Sequence, residues 1–283
     1  AWMHKNAVTM SAWGKSLLLP RMHVAYSDAG SIETQSTRLN NTFSPSGRNQ
    51  DARGEPGRGA KLILAQDLGT VAVAESDNAS AWAQGVEKAL RRVLFVRPYV
   101  MIVDDTMRLT QREPGIQSWN NLTGWTIIDN ETCESADVRL TRLTPGPVEL
   151  TAGEDSVHRD RNGGIVPAYR AVFSTPAAKF HRLTTLIEAL PPAHVTDRSH
   201  VEIVDVDNQV IEIAHGNRTT RITPNGSRLS PQGLWGCTTD GGLFFAVRVE
   251  GRVVIAAAFD ASWVAGPDSK KTGDGFVVLK EGR

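Results

Sequence analysis

The chain has 283 residues, of which 40% are hydrophobic and 22% charged, and its 31 lysines and arginines balance 31 aspartates and glutamates. That length buries a sizeable core, in one large domain or two small ones, and the composition is that of a soluble globular protein. Zero net charge excludes a general pull on nucleic acid or anionic membranes and leaves only local basic patches, while the longest apolar runs, such as residues 253–259, are far too short to span a bilayer.

Strand periodicity dominates the chain. Residues 7–13 (AVTMSAW) read as a strand, after which Gly14-Lys15 turns into an apolar run ending at Pro20. A polar break at 44–59 precedes strands over 61–66 (KLILAQ) and 70–76 (TVAVAES). Residues 78–92 have the spacing of a short helix, capped by Asn78 and interrupted at Gly85. Two apolar runs over 91–105 are split by Arg97-Pro98, and a proline without an N–H places a turn between two strands there. Further breaks fall at 111–115, 153–164 and 224–233. Residues 179–190 have helical spacing at Phe180, Leu183 and Leu186-Ile187, but their threonines and isoleucine make the second half a strand. Strands follow over 201–215, and 241–259 reads as a hairpin about Glu250-Gly251. Many strands, scarce helical signals and no repeat predict an all-β fold: a large antiparallel β-sandwich of stacked sheets with few short helices, in a single domain spanning 1–283.

Motifs of several common chemistries are missing. There is no Gly-rich phosphate loop, Gly-x-Ser-x-Gly elbow or His-Glu-x-x-His pair. His4, His23, His158, His181, His194, His200 and His215 show no chelating spacing, so nothing supports a generic zinc site. Asp104 and Asp105 are neighbours on a predicted strand; they point to opposite faces, make a poor acid–base pair, and read as a strand end entering a turn. Cys133 and Cys237 are too few for a disulfide framework and leave one long-range disulfide or two buried thiols. Trp82, Trp119, Trp125, Trp235 and Trp263 lie near polar or glycine-rich segments, where indoles either pack in the core or stack on sugar rings. The opening Ala1-Trp2-Met3-His4 has no signal-peptide pattern and begins close to a strand, so the sequence reads as part of a longer chain.

Residues 1–130 carry an ordered set of short motifs. His4-Lys5-Asn6 precedes a strand, and Gly14-Lys15-Ser16-Leu17-Leu18 enters the apolar run. Asn40-Asn41-Thr42 leads to Gly47-Arg48-Asn49-Gln50. Asp77 to Trp82 precedes Arg91-Arg92-Val93-Leu94-Phe95, which continues through Pro98-Tyr99 to Asp104, and residues 118–127 (SWNNLTGWTI) supply a tryptophan-bearing strand. This order and spacing resemble the C-terminal β-sandwich module of the heparinase II/III-like polysaccharide lyases, which include related alginate lyases.

The resemblance implies a sandwich that works beside an N-terminal α-helical toroid, in the periplasm or outside the cell. It implies an acidic, uronate-containing polysaccharide as partner, cleaved by β-elimination. Abstracting the weakly acidic proton beside a uronate carboxylate requires a base, together with hydrogen bonds or cations that neutralise the charge. His4 matches the sandwich's catalytic histidine, and Asn40, Asn41, Arg48, Gln50 and Trp82 are candidate substrate contacts. The toroid is not in this chain, so the module is expected to be inactive alone. The family's structural zinc uses positions held here by Asn6, Pro20 and Asn40. Amides are poor zinc ligands, so no metal or other cofactor is expected, although His23 and Asp28 offer substitutes. The alternative is a non-catalytic glycan-binding or structural sandwich with a degenerate metal site. No nucleic-acid or membrane partner is expected.

Overall fold

The computed structural model describes residues 6–19, 36–50, 59–82, 84–155, 162, 164, 166–205, 210–224, 235–238, 243–250, 252–259, 261–265 and 277–280. The chain divides into two compact units, Ala1–Val195 and Thr196–Arg283. The architecture is all-β with large antiparallel sheets. Among the described residues the helical pieces are single 3-10 turns, Thr37–Leu39 and Ala79–Ala81.

The first unit opens with a hairpin of β1 (Met10–Ala12) and β2 (Lys15–Leu18), turned by Gly14 at φ +74°. Its main sheet contains β3 (Phe43–Pro45), β4 (Lys61–Asp67), β5 (Val71–Asp77), β6 (Val86–Val96) and β7 (Val100–Asn121). The same sheet continues with β8 (Thr126–Ile127), β9 (Thr132–Glu134), β10 (Val138–Arg142), β11 (Glu149–Glu154) and β12 (Tyr169–Ala189). Its path runs β4-β5-β6-β7-β12-β10-β9-β8, with β3 on the second half of β7 and β11 on the first half of β12.

The predicted helix over 78–92 reduces to one turn. Asp77 Oδ1 accepts the Ala79 N–H at 2.8 Å, while Asn78 provides no side-chain cap. Beyond Gly85, at φ +82°, the alternating apolar residues Ala89, Val93 and Phe95 face a core and belong to β6. The Arg97-Pro98 turn falls where the sequence places it, between β6 and β7. Residues 179–190 lie in β12 except for Leu190, so the helical spacing there is overridden by pairing with β7.

The predicted break at 111–115 is instead a bend inside β7, a strand of 22 residues. β12, with 21 residues, pairs along its length and shifts register around Ala178. Such bulges bend a ribbon without ending it. The bend is sharp: Asp105 and Gln117 on the same strand hydrogen-bond at 2.8 Å, although twelve residues of straight strand span roughly 40 Å. Consequently one ribbon supplies both layers of a sandwich. Met101, Val103, Met107, Leu183 and Ile187 from one half pack with Trp119, Ala171 and Phe173 from the other. Cys133, Val138 and Leu140 complete the same core. Cys133 is a free thiol whose burial pushes its pKa up to about 12.

The second unit has a sheet ordered β13 (His200–Asp205), β14 (Val210–His215), β15 (Arg218–Pro224), β17 (Leu243–Val249), β18 (Arg252–Ala258) and β20 (Val277–Lys280). A ribbon of β16 (Trp235–Thr238) and β19 (Ala261–Ala265) accompanies it. The hairpin predicted about residue 250 joins β17 to β18, with Glu250 at φ 50°.

Gly115 sits at the corner of the folded ribbon. A Cβ there would lie 2.7 Å from Phe43 Cζ, 2.8 Å from Thr175 Oγ1 and 3.0 Å from His181 Cγ. Gly115→Ala is therefore expected to destabilise the protein by about 1–3 kcal/mol in denaturant titration. Gly153→Ala, where a Cβ meets nothing within 4 Å, should stay within about 0.5 kcal/mol of wild type.

Candidate functional site

Two loops and the inner face of the β6–β7 hairpin meet at one guanidinium. Arg91 points into the sandwich and is 3% exposed. Its Nε and Nη2 donate to Asp105 Oδ1 and Oδ2, each at 2.7 Å. Its Nη1 donates to the carbonyls of Asn6 at 2.6 Å and Asn41 at 2.5 Å. The Trp119 ring lies 5.8 Å from the guanidinium carbon. Gln117 Nε2 donates to Asp105 Oδ2, and Gln117 Oε1 accepts from Trp119 Nε1 at 2.9 Å and Thr185 Oγ1 at 2.7 Å. A buried ion pair persists only when its remaining hydrogen-bonding groups are satisfied in this way. A cavity of about 10 Å³ beside Asn6, Phe43, Asn78 and Arg91 has room for one water at most.

Asp104 serves the opposite face. Its Oδ1 accepts from Arg182 Nε at 2.8 Å and Thr184 Oγ1 at 2.7 Å, and Arg92 stands between it and Glu75. The two aspartates do point apart, but they lie within β7 and not at a strand end. Arg91 and Arg92 are their register partners across the hairpin. Both pairs are symmetric about Pro98, so the turn and the pleat together contained this information.

Asn41 has no exposure and holds the left-handed conformation at φ 45°. Its Nδ2 donates to the carbonyls of Val8 at 2.8 Å and Leu19 at 2.9 Å, and its Oδ1 accepts from Asn120 N at 2.7 Å. Asn40, also buried, donates from Nδ2 to the Ser36 carbonyl at 2.8 Å. Gln50 is buried, and its backbone N–H donates to Thr37 Oγ1 at 2.7 Å. Trp82 is buried in the core cluster. Arg48 reaches the surface; Nη2 pairs with Glu113 at 3.0 Å and Nη1 donates to the Gln84 carbonyl at 3.2 Å. His4, Pro20, His23 and Asp28 lie outside the described residues. Asn6, two positions after His4, is anchored by Arg91, and its Oδ1 accepts the Ser76 hydroxyl at 2.6 Å.

The structure thus joins Asn6 to the Asn40-Asn41 loop through Arg91, and Arg48 to the segment following Trp82, as two separate groups. Asn6 and Asn40 offer amides, weak donors for zinc; Asn6 Oδ1 already accepts the Ser76 hydroxyl, and Asn40 is oriented by its Nδ2 donation to Ser36. Of the other tryptophans, Trp119 is fully buried and Trp125 is half-buried with Nε1 donating to the Tyr169 carbonyl. The side chains of Trp235 and Trp263 lie outside the described residues. His181, which has no chelating spacing in the sequence, is buried at the corner. Its Nδ1 is 2.7 Å from Thr175 Oγ1 and its Nε2 3.0 Å from the Ala178 carbonyl. Burial holds its pKa below the usual value of 6.5.

No protein-family model matches the sequence, and no curated protein does. Solved structures share the fold. Heparan sulfate lyase HepC from Pedobacter heparinus matches at TM-score 0.56 with 13% identity, over 90% of this chain and 36% of that one. A crystal structure of heparinase III matches at TM-score 0.59 with 10% identity, over 89% of this chain and 35% of that one. Another heparinase III matches at TM-score 0.56 with 11% identity, over 99% of this chain and 37% of that one. The chain therefore spans about a third of the length of these enzymes, and at such identities the likeness is one of fold.

Asp105→Leu leaves Arg91 charged and unpaired in the core, and should cost about 3–5 kcal/mol in denaturant unfolding. Lys15→Ala, at a pair whose lysine side chain is 57% exposed, should cost about 1 kcal/mol or less. For His181, the lowered folded pKa means that stability is complete above 6.5 and is lost as pH falls through the folded value. Denaturation midpoints between pH 8 and pH 5 should fall more steeply below 6.5 for wild type than for His181→Gln.

Proposed function

We propose that the chain is the β-sandwich module of a polysaccharide lyase that cleaves uronate-containing glycans by β-elimination, together with an α-helical toroid. The observation that carries this is the shared fold: nearly the whole chain aligns with enzymes named heparinase III and heparan sulfate lyase, yet covers about a third of each. In the reaction a base takes the proton beside the carboxylate, and its electrons form the ring double bond. The bond to the leaving sugar oxygen breaks, and that oxygen takes a proton. His4 is the residue assigned to this proton transfer, on a segment that Arg91 fixes two positions later at Asn6. Arg48 supplies surface charge for the acidic sugar. Asn40, Asn41, Gln50 and Trp82 act from beneath, holding the loop that carries Arg48 and the strand opposite it. The module works without zinc and in the periplasm or outside the cell. Among the described residues no helix is long and apolar enough to cross a membrane.

A second reading, a sandwich that binds glycan without cleaving it, is favoured by the amides at the positions of the family's metal ligands. One assay separates the two. The full-length gene product is incubated with uronate polymers, heparan sulfate among them, and absorbance of the unsaturated product is followed. A rising signal that His4→Ala lowers by about a hundredfold or more, with Arg48→Ala acting mainly on KM, is expected. Glycan binding with no signal on any uronate polymer, and indifferent to His4→Ala, would establish the second reading instead.

A further inference from the structure

The outer face of the corner carries an arrangement that the sandwich itself does not require. Lys88 on β6 is directly opposite Arg108 on β7, which is directly opposite Phe180 on β12. Side chains in direct opposition leave the sheet on the same face, each about 5 Å from the next. Alternation turns this face outward: Leu109 is 2% exposed in the core, whereas Arg108 and Thr110 are exposed and Phe180 is 49% exposed. An aromatic ring of this size is normally covered.

Lys88 and Arg108 are like charges facing one another, a placement that costs stability. Among the described residues no carboxylate pairs with either. Asp104 is engaged by Arg182 and Thr184, Glu75 by Arg92, Asp77 by the Ala79 N–H, and Glu113 by Arg48. Glu87, at the register shift beside Lys88, pairs with neither. Lys179 adds an exposed cation next to Phe180. The strip is continuous with Arg48. Arg48 Nη2 and Thr110 Oγ1 lie 3.3 and 3.6 Å from the point where a Gly85 Cβ would stand, and Thr110 is the next outward residue from Arg108 along β7.

We propose that Lys88, Arg108 and Phe180 form a subsite for an anionic sugar of the polymer, with its sulfate or carboxylate between the two cations and the apolar face of the ring on Phe180. An anion there converts a repulsive pair into two charge-assisted contacts, and an exposed ring offers a flat apolar platform. The subsite deepens the lyase reading and rests on it for the class of ligand. Its position, from Arg48 outward across three strands, lengthens the grip on the polymer beyond Arg48 itself.

The test measures binding of the full-length protein, carrying His4→Ala to prevent turnover, to size-defined heparin oligosaccharides, unsulfated oligouronates, a neutral glucan and single-stranded DNA. Arg108→Glu should weaken binding to the anionic sugars by about tenfold or more and flatten its salt dependence. Phe180→Ala should weaken it by several-fold at every salt concentration. Arg108→Glu places opposite charges across the strand pair, so its Tm should equal or exceed that of wild type, which separates lost binding from lost folding. Preference for the sulfated or the unsulfated oligomer identifies the anion. Unchanged affinity in both variants overturns the subsite, as does equal binding of the neutral glucan. DNA binding as tight as that of the sugars overturns it in favour of a general polyanion surface. Loss of sugar affinity in these variants with no lyase activity in wild type keeps the subsite and rejects the catalytic reading. Activity in wild type with unchanged affinity in the variants does the reverse.

Discussion

One carboxylate keeps the ribbon of β7 and β12 folded back on itself. Asp105 binds Arg91 with both oxygens and receives Gln117 from the far layer. Gln117 in turn binds Trp119 beside it and Thr185 on the near layer. A purely apolar interior would hold the layers together without specifying how far along the strand the bend falls. The polar chain specifies it, because a shift by one residue would leave a buried charge unpaired. The corner can then close only where Gly115 leaves space for Phe43, Thr175 and His181.

The same charge organises the surface nearby. Arg91 has one nitrogen left after binding Asp105, and it gathers the Asn6 and Asn41 carbonyls. Asn41 uses its amide to tie the β1–β2 hairpin to Asn120 of β7. The loops that bear the proposed chemistry are thus attached to the core by backbone carbonyls, which any residue type could supply. Position is held in this region by the Arg91 guanidinium and the Asn41 amide, while residues that supply only a carbonyl, Val8 and Leu19 among them, are free to change side chain. That is consistent with a fold shared at 10–14% identity.

The alternating stretches were legible from the sequence because period and burial agree: β4, β5, the turn between β6 and β7, and the β17–β18 pair about Glu250 lie where the pattern puts them, whereas the first half of β6 has the spacing of a helix. The bend at 111–115 was not legible, since proline, glycine and charge there are what ends a strand in most settings. Only the partner strand, more than sixty residues later and bulged opposite the same place, allows pairing to continue. The buried arginine–aspartate pairs were half-legible. Opposite faces for Asp104 and Asp105 follow from the pleat, and the proline turn supplies the register that brings Arg92 and Arg91 to meet them. Burial of Asn40 and Asn41 could not be read, because a polar run looks alike whether its amides face water or carbonyls.

The length of β7 also fixes an order of events. Its hairpin with β6 closes across a turn at residues 97–99, so that pairing is local and available early. Its other edge must wait: Val100 pairs with Glu188 and Asn121 with Tyr169. Contacts of such wide sequence separation form late and slowly. As the chain leaves the ribosome, the arginine–aspartate pairs can therefore assemble before the strand that will cover them exists. For that interval β7 is an open edge of 22 residues. Its exposed middle stretch, running into the bend, carries Arg108, Thr110, Gln111 and Arg112, and charge on an open edge opposes pairing with the wrong strand.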